Sequence, residues 1–227
     1  MRVIIATIKS WNIENAERLR KKYVGEHEIL VLTDRKELCL EQLGTFKPDF
    51  IFFPHWSYII PPEIFEKYIC VVFHMTDLPY GRGGSPLQNL IVRGNTKTKI
   101  SAIRVEQEVD AGPIYMKEEV SLEGNAREIF EKISHIIFER MIPRFWEEHL
   151  EPKEQQGEPI FFKRRTPQES ELKPGQSLIE IYDYIRMLDA EGYPNAFLDF
   201  GAYRLSFQNA KLSDGRLSAN VIWEERH

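Results

Sequence analysis

The 227-residue chain has only two cysteines, Cys39 and Cys70, neither numerous enough nor suitably spaced for a disulfide framework or a zinc site. Cys70 sits inside an apolar run, where a buried thiol is the ordinary reading. No apolar run approaches the about 20 residues that a membrane-crossing helix needs, and the amino terminus lacks a charged-then-apolar start of the secretory kind. A cytoplasmic protein with no membrane segment is expected. Cationic excess is also missing. With a net charge of −5 and a pI near 5.8, the chain lacks the footprint that counterion release from a nucleic-acid backbone rewards, so no nucleic-acid partner is expected. A basic cluster, Lys163-Arg164-Arg165, suits either a solvated surface or a phosphate contact. No GxGxxG or Walker sequence opens the first helix, which argues against a dinucleotide or ATP site, and no metal is expected.

The sequence does carry apolar runs alternating with helical patterns. Val3–Ile8, Ile29–Thr33, Phe50–Phe53 and Cys70–Phe73 read as strands, and helices are expected near Glu14–Tyr23, Arg35–Leu43, Pro62–Tyr68 and Pro86–Val92. Continuous apolar strands alternating with amphipathic helices predict an α/β fold, Rossmann-like, with a mainly parallel sheet covered on both faces. Further strands follow at Lys99–Val105 and Pro113–Val120, then a long helix from Asn125 that Pro143 interrupts. From Glu151 to Gly175 the text turns to Pro, Glu, Gln and Gly and reads as a linker or a surface-hugging segment. A helix and three strands close the chain. The expected division is a core over residues 1–150 and, over 151–227, a linker, helix and small antiparallel sheet forming an α+β tail.

The stretch Phe73–Asn89, FHMTDLPYGRGGSPLQN, places His74 after an apolar strand and before a loop crowded with Gly and Pro, and VDAGPI at Val109–Ile114 echoes it. Ligands of open parallel sheets lie outside the carboxyl ends of the strands, which predicts that His74, Trp56 to Tyr58 and Ser10 to Asn12 face one edge. Plainer readings stand beside each: a core histidine, a turn aspartate before glycine for Asp110, core packing for Trp56, Tyr58 and Ile60, and a helix cap for Ser10 or Asn12.

His74, then Leu78-Pro79, Gly83 and Pro86, with Asp110-Ala111-Gly112 before a later strand, resemble the N-formyltransferases that use N10-formyltetrahydrofolate. The similarity covers roughly residues 50 to 150, and the two motifs together are specific. The resemblance implies a formyltransferase core in which folate is bound by Trp56, Tyr58, Ile60, Gln107 and Val109. Formyl transfer to an amine develops negative charge on oxygen and releases a proton, so a donor to that oxygen and a proton path are needed. His74 and Asp110 fill the acid–base roles, the carboxylate orienting the imidazole. The family's asparagine falls at Val72, which cannot donate. Thr76, Gln88 and Asn89 are the nearby polar residues, and Asn89 ranks first as the replacement.

Arg186-Met187-Leu188-Asp189 and Tyr193-Pro194-Asn195-Ala196 resemble the tail of the sugar N-formyltransferases, and the loop text is similar to the pseudaminic-acid branch. That implies a nucleotide-linked 4-amino-4,6-dideoxy sugar as acceptor, such as UDP-4-amino-4,6-dideoxy-N-acetyl-altrosamine, in cell-surface polysaccharide biosynthesis. Lys9, Ser10 and Asn12 would meet the diphosphate, with Arg82 or Arg164 adding a contact. The alternatives are a formyltetrahydrofolate hydrolase, an enzyme of the methionyl-tRNA type, and a non-catalytic folate or nucleotide binder. A homodimer through exposed strands of the carboxyl-terminal region is a further expectation.

Overall fold

The computed structural model describes residues 1–226. Strands β1 (Arg2–Ala6), β2 (Glu28–Leu32), β3 (Phe50–Phe53) and β4 (Cys70–His74) are mutually parallel, joined through helices α1 (Ser10–Lys22), α2 (Leu40–Phe46) and α3 (Pro62–Phe65). Strand β5 (Tyr80–Gly83), helix α4 (Pro86–Ile91), β6 (Lys97–Arg104) and β7 (Ile114–Ser121) follow. The six-stranded sheet has the order β2-β1-β3-β4-β6-β7, and β6 runs antiparallel to β4 with His74 opposite Ser101. The fold is the expected α/β arrangement with a mostly parallel sheet.

Burial accounts for the parallel part. Ile4, Ala6, Leu32, Ile51, Phe53 and Cys70 form one core cluster with Leu43 of α2 and Ile64 of α3, and Val72 packs partly buried against it. Phe50, Phe52 and Tyr115 instead meet the ring of Phe145 edge-on at centroid distances of 5.3, 4.9 and 5.0 Å. Strands buried on both faces must be apolar at every position, which explains their unbroken apolar text. The Cys70 thiol is pushed up to about 12 by burial, so it stays protonated and inert.

Helix α1 starts at Ser10, not Glu14. Lys9 occupies the cap position and no side chain caps the helix, so neither Ser10 nor Asn12 is the cap. The long helical pattern divides into α5 (Ala126–Ile136), a π-helical turn over Ile137–Met141, and α6 (Ile142–Glu147) with Pro143 in its first turn. A proline nitrogen cannot join the helical ladder, and the wider turn just before it absorbs the missing bond.

Two compact units interleave along the chain. The first comprises residues 1–82, 99–120 and 131–161, and the second residues 83–98, 121–130 and 162–227. In the first, the segment read as a linker is fixed: Ile114 and Lys153 exchange both backbone bonds at 2.8 and 2.9 Å, and Ile160 N donates to Pro79 O at 3.1 Å. It continues into β8 (Ile160–Phe162), which pairs with β5.

The second unit holds α7 (Leu178–Arg186), β9 (Ala196–Phe200), β10 (Tyr203–Ser213) and β11 (Arg216–Glu225), the strands forming an antiparallel sheet in the order β11-β10-β9. Both tail motifs serve its packing. Arg186 donates to the carbonyls of Leu122 and Gly124 at 2.6 and 2.8 Å, Asp189 accepts from Asn209 N, and Tyr193 stacks on Phe130. These bonds account for the Arg-Met-Leu-Asp and Tyr-Pro-Asn-Ala residues as anchors of α7 and the turn after it.

Candidate active site

Strand β4 alternates its side chains, so His74 continues the face of Cys70 and Val72 and emerges at the carboxyl end of the parallel strands. Its Nε2 lies 2.8 Å from the carbonyl oxygen of Gly81, which also accepts from Thr76 Oγ1 at 3.3 Å. A carbonyl only accepts, which assigns the hydrogen to Nε2. The ring's other nitrogen, Nδ1, lies 3.4 Å from Asp110 Oδ1. A neutral ring of this tautomer sets a lone pair against the carboxylate, so the contact is favourable when a proton sits on one side of the pair. That is an arrangement able to take up and release a proton.

Asp110 reaches the ring by an indirect route. Because β6 runs antiparallel to β4, with Arg104 opposite Val71, the chain enters the β6–β7 connection at the amino end of β4. Within the connection Asp110 adopts φ 58°, a left-handed conformation that Asp tolerates better than most residues. At Gly112 a Cβ would lie 1.9 Å from the carbonyl oxygen of Arg104, so only glycine fits the turn.

Gln155 braces this turn. Its amide nitrogen donates to the carbonyls of Asp110 and Gly112 at 2.8 and 2.9 Å, and its oxygen accepts from Arg82 Nε and Nη2 at 3.2 and 2.9 Å. Arg82 Nη1 also donates to Glu108 Oε1 at 3.3 Å. Nothing in the composition of the presumed linker marks Gln155. Ahead of the loop, Asp77 is gripped by Lys117 and Lys99 at 2.5 and 2.9 Å. Burial alone would raise its carboxyl, but the two ammonium groups prevail and hold it below the usual range.

Asn89 donates through Nδ2 to the carbonyls of Gly84, Ser85 and Lys163 at 3.0, 3.0 and 2.9 Å and accepts from Arg93 at Oδ1. Its amide holds the chain around α4. Asn12 is 2% exposed and donates to Pro54 O at 3.2 Å, tying the first turn of α1 to the chain after β3. Arg82 is bound by Gln155 and Glu108. Ile60 belongs to the core cluster, so its plainer reading holds.

Ser10, Gln107 and Arg164 are exposed, Lys9 is partly so, and Val109 is 58% exposed. Trp56 packs edge-on against Tyr58 with centroids 5.3 Å apart, and its indole Nε1 is buried without a hydrogen-bond partner among the described residues. Between β3 and these aromatics, His55 takes φ 51° and packs against Trp11 at 5.9 Å. Desolvation of the ring, reinforced by Lys9, lowers its pKa to about 4. No group of side chains suited to a metal ion occurs among the described residues.

A family model described as formyl transferase matches residues 10–133, a span that includes His74 and Asp110. The chain belongs to the formyltransferase family. A second model, described as the methionyl-tRNA formyltransferase carboxyl-terminal domain, matches residues 167–223 of this formyltransferase. A solved structure named methionyl-tRNA formyltransferase from Clostridium thermocellum is 51% identical, covers 100% of both chains and superposes with a TM-score of 0.98. A methionyl-tRNA formyltransferase of Francisella tularensis subsp. novicida (strain U112) is 27% identical over 195 residues, 81% of this chain. The chain spans 36% and 61% of the lengths of the first two curated relatives that it matches. A sugar N-formyltransferase from Shewanella sp FDAARGOS_354, 14% identical with a TM-score of 0.70 over 100% of this chain and 99% of that one, shares the fold. No helix among the described residues is long and apolar enough to cross a membrane.

Proposed function

We propose that this formyltransferase transfers a formyl group from N10-formyltetrahydrofolate to the primary amine of a nucleotide-linked 4-amino-4,6-dideoxy sugar. The observation that carries the chemistry is the His74–Asp110 contact at 3.4 Å, with the opposite ring nitrogen engaged by Gly81. The pair receives the proton that the amine gives up as its nitrogen bonds to the formyl carbon, and Asp110 orients the ring for that transfer. N10-formyltetrahydrofolate supplies the formyl carbon. Trp56, Tyr58, Gln107 and Val109 line its proposed site, and the unmet indole N–H of Trp56 fits a heterocycle rich in acceptors. Lys9 and Ser10, a cation and a hydroxyl, would meet the diphosphate on this reading.

Charge supports the small acceptor. Residues 167–226 carry ten Asp and Glu against six Lys and Arg, the reverse of what a polyanion would favour. A methionyl-tRNA acceptor is the second reading, favoured by the 51% identity to the Clostridium thermocellum chain of that name. Incubation with the formyl donor and, in separate reactions, TDP- and UDP-linked 4-amino sugars and methionyl-tRNA, read by mass spectrometry for one added formyl group, distinguishes the two. Formylated sugar supports the first reading. Formylated methionyl-tRNA alone replaces it with the second, and formate without either product indicates hydrolysis.

We also propose a homodimer in which β11 pairs antiparallel with β11 of a second copy. Arg216 at one end would oppose Glu225 at the other, and the exposed Val221, Ile222 and Trp223 would be covered. Light scattering should give a dimer that Trp223→Lys weakens; a monomeric parent ends the proposal.

A further inference from the structure

We infer that Gln155 is a positioning residue for the reaction, holding Asp110 against the His74 ring through a single side-chain amide. The inference rests on the formyl-transfer reading of that pair. A glutamine amide has two hydrogens and two acceptor lone pairs, and here all four are used, on Asp110 O, Gly112 O, Arg82 Nε and Arg82 Nη2. These partners flank both contacts of the ring. Arg82 directly follows Gly81, whose carbonyl receives His74 Nε2, and Asp110 itself faces Nδ1. One amide therefore ties the loop after β4 to the Asp110–Gly112 turn.

The turn needs such a brace, since a non-glycine residue at φ 58° persists only when its surroundings hold it there. The brace is anchored apart from the turn it supports. Lys153 is paired to Ile114 and Ile160 to Pro79 by backbone bonds, so the chain on either side of Gln155 stays in place if its side chain is removed. Truncation should then loosen the Asp110 geometry and leave the fold standing.

The full chain carrying Gln155→Ala or Gln155→Glu tests this. With whichever acceptor yields product, Gln155→Ala should lower kcat by about 10- to 100-fold, the size of effect that small misplacements produce, while KM for the formyl donor is unchanged. Gln155→Glu retains an acceptor for Arg82 but turns a carboxylate toward two carbonyls. Its kcat should fall as well, and recover as pH drops through the titration of the new carboxyl, which once protonated can donate to one of them. The ¹⁵N resonances of the His74 ring give a readout that needs no acceptor: Gln155→Ala should move Nδ1 in the direction that Asp110→Asn moves it. The inference is overturned if Gln155→Ala leaves those resonances where they are while Asp110→Asn shifts them, or if its kcat stays within about twofold of the parent. Should the parent transfer no formyl group at all, the formyl-transfer reading fails and the resonances still decide whether Gln155 positions the pair.

Discussion

His74 Nδ1 lies 3.4 Å from Asp110 Oδ1 while the ring's Nε2 is 2.8 Å from Gly81 O, so the imidazole is held between a backbone carbonyl and a carboxylate. The carboxylate is the removable half of that grip. Asp110→Asn keeps the size of the side chain and its tolerance for φ 58° but removes the carboxylate that faces Nδ1. Formyl transfer should fall by about 10²–10⁴-fold, the usual span for losing general acid–base catalysis, with an unchanged circular dichroism spectrum. Near-parental rates would mean that the proton travels elsewhere.

Most of this fold is legible in the text of the chain, and particular residues show why. Val3-Ile4-Ile5 and Phe50-Ile51-Phe52-Phe53 announce strands because a sheet covered on both faces needs apolar side chains at every position. His74 and Asp110 stand out because each precedes or sits in a glycine-bearing turn at a strand boundary. Gln155 left no such mark: its protein partners include two backbone carbonyls, and any residue type supplies those. The carbonyl partners of Asn12 and Asn89 are equally illegible, since an amide bound to carbonyls and an amide facing a ligand read alike in sequence. Ser10 and Trp11 extend α1 one turn beyond the expected start because Trp11 is buried by tertiary packing, which outweighs local preference.

Asn89→Ala distinguishes the structural role of this amide from a catalytic one. It strips bonds from three carbonyls near α4, of which Ser85 O keeps the backbone N–H of residue 89, and leaving such groups unpaired costs on the order of 1–3 kcal/mol. The urea midpoint should drop accordingly, with turnover per folded molecule unchanged. A loss of turnover at full folding would return Asn89 to the catalytic centre.

Val72 occupies the position where the family resemblance places an asparagine, and it packs on the core cluster on the same strand face as His74. Val72→Asn should lower stability by about 1–3 kcal/mol, because an amide enters a largely apolar setting. If the formyl oxygen lacks a donor in the parent, the same change should raise kcat by about tenfold or more, part of the 10²–10³ that one such donor contributes. Unchanged or lower turnover in the folded variant would show that the donor is already supplied from elsewhere.

His55 makes stability depend on acid. Burial, then Lys9, lowers its pKa to about 4 in the folded protein, while the unfolded chain titrates near the ordinary 6.5. Between those values the unfolded state binds the extra proton, so stability contributed by the neutral ring is complete above about 6.5 and drains away as pH falls through 4. The slope contributed by this one group is at most about 1.4 kcal/mol per pH unit. His55→Asn tolerates the left-handed φ of 51° and does not titrate. Urea midpoints measured from pH 7 to pH 4 should decline less steeply for the variant than for the parent, since carboxylates elsewhere contribute equally to both. Parallel curves would mean that the His55 ring is as easily protonated in the folded protein as in the unfolded chain.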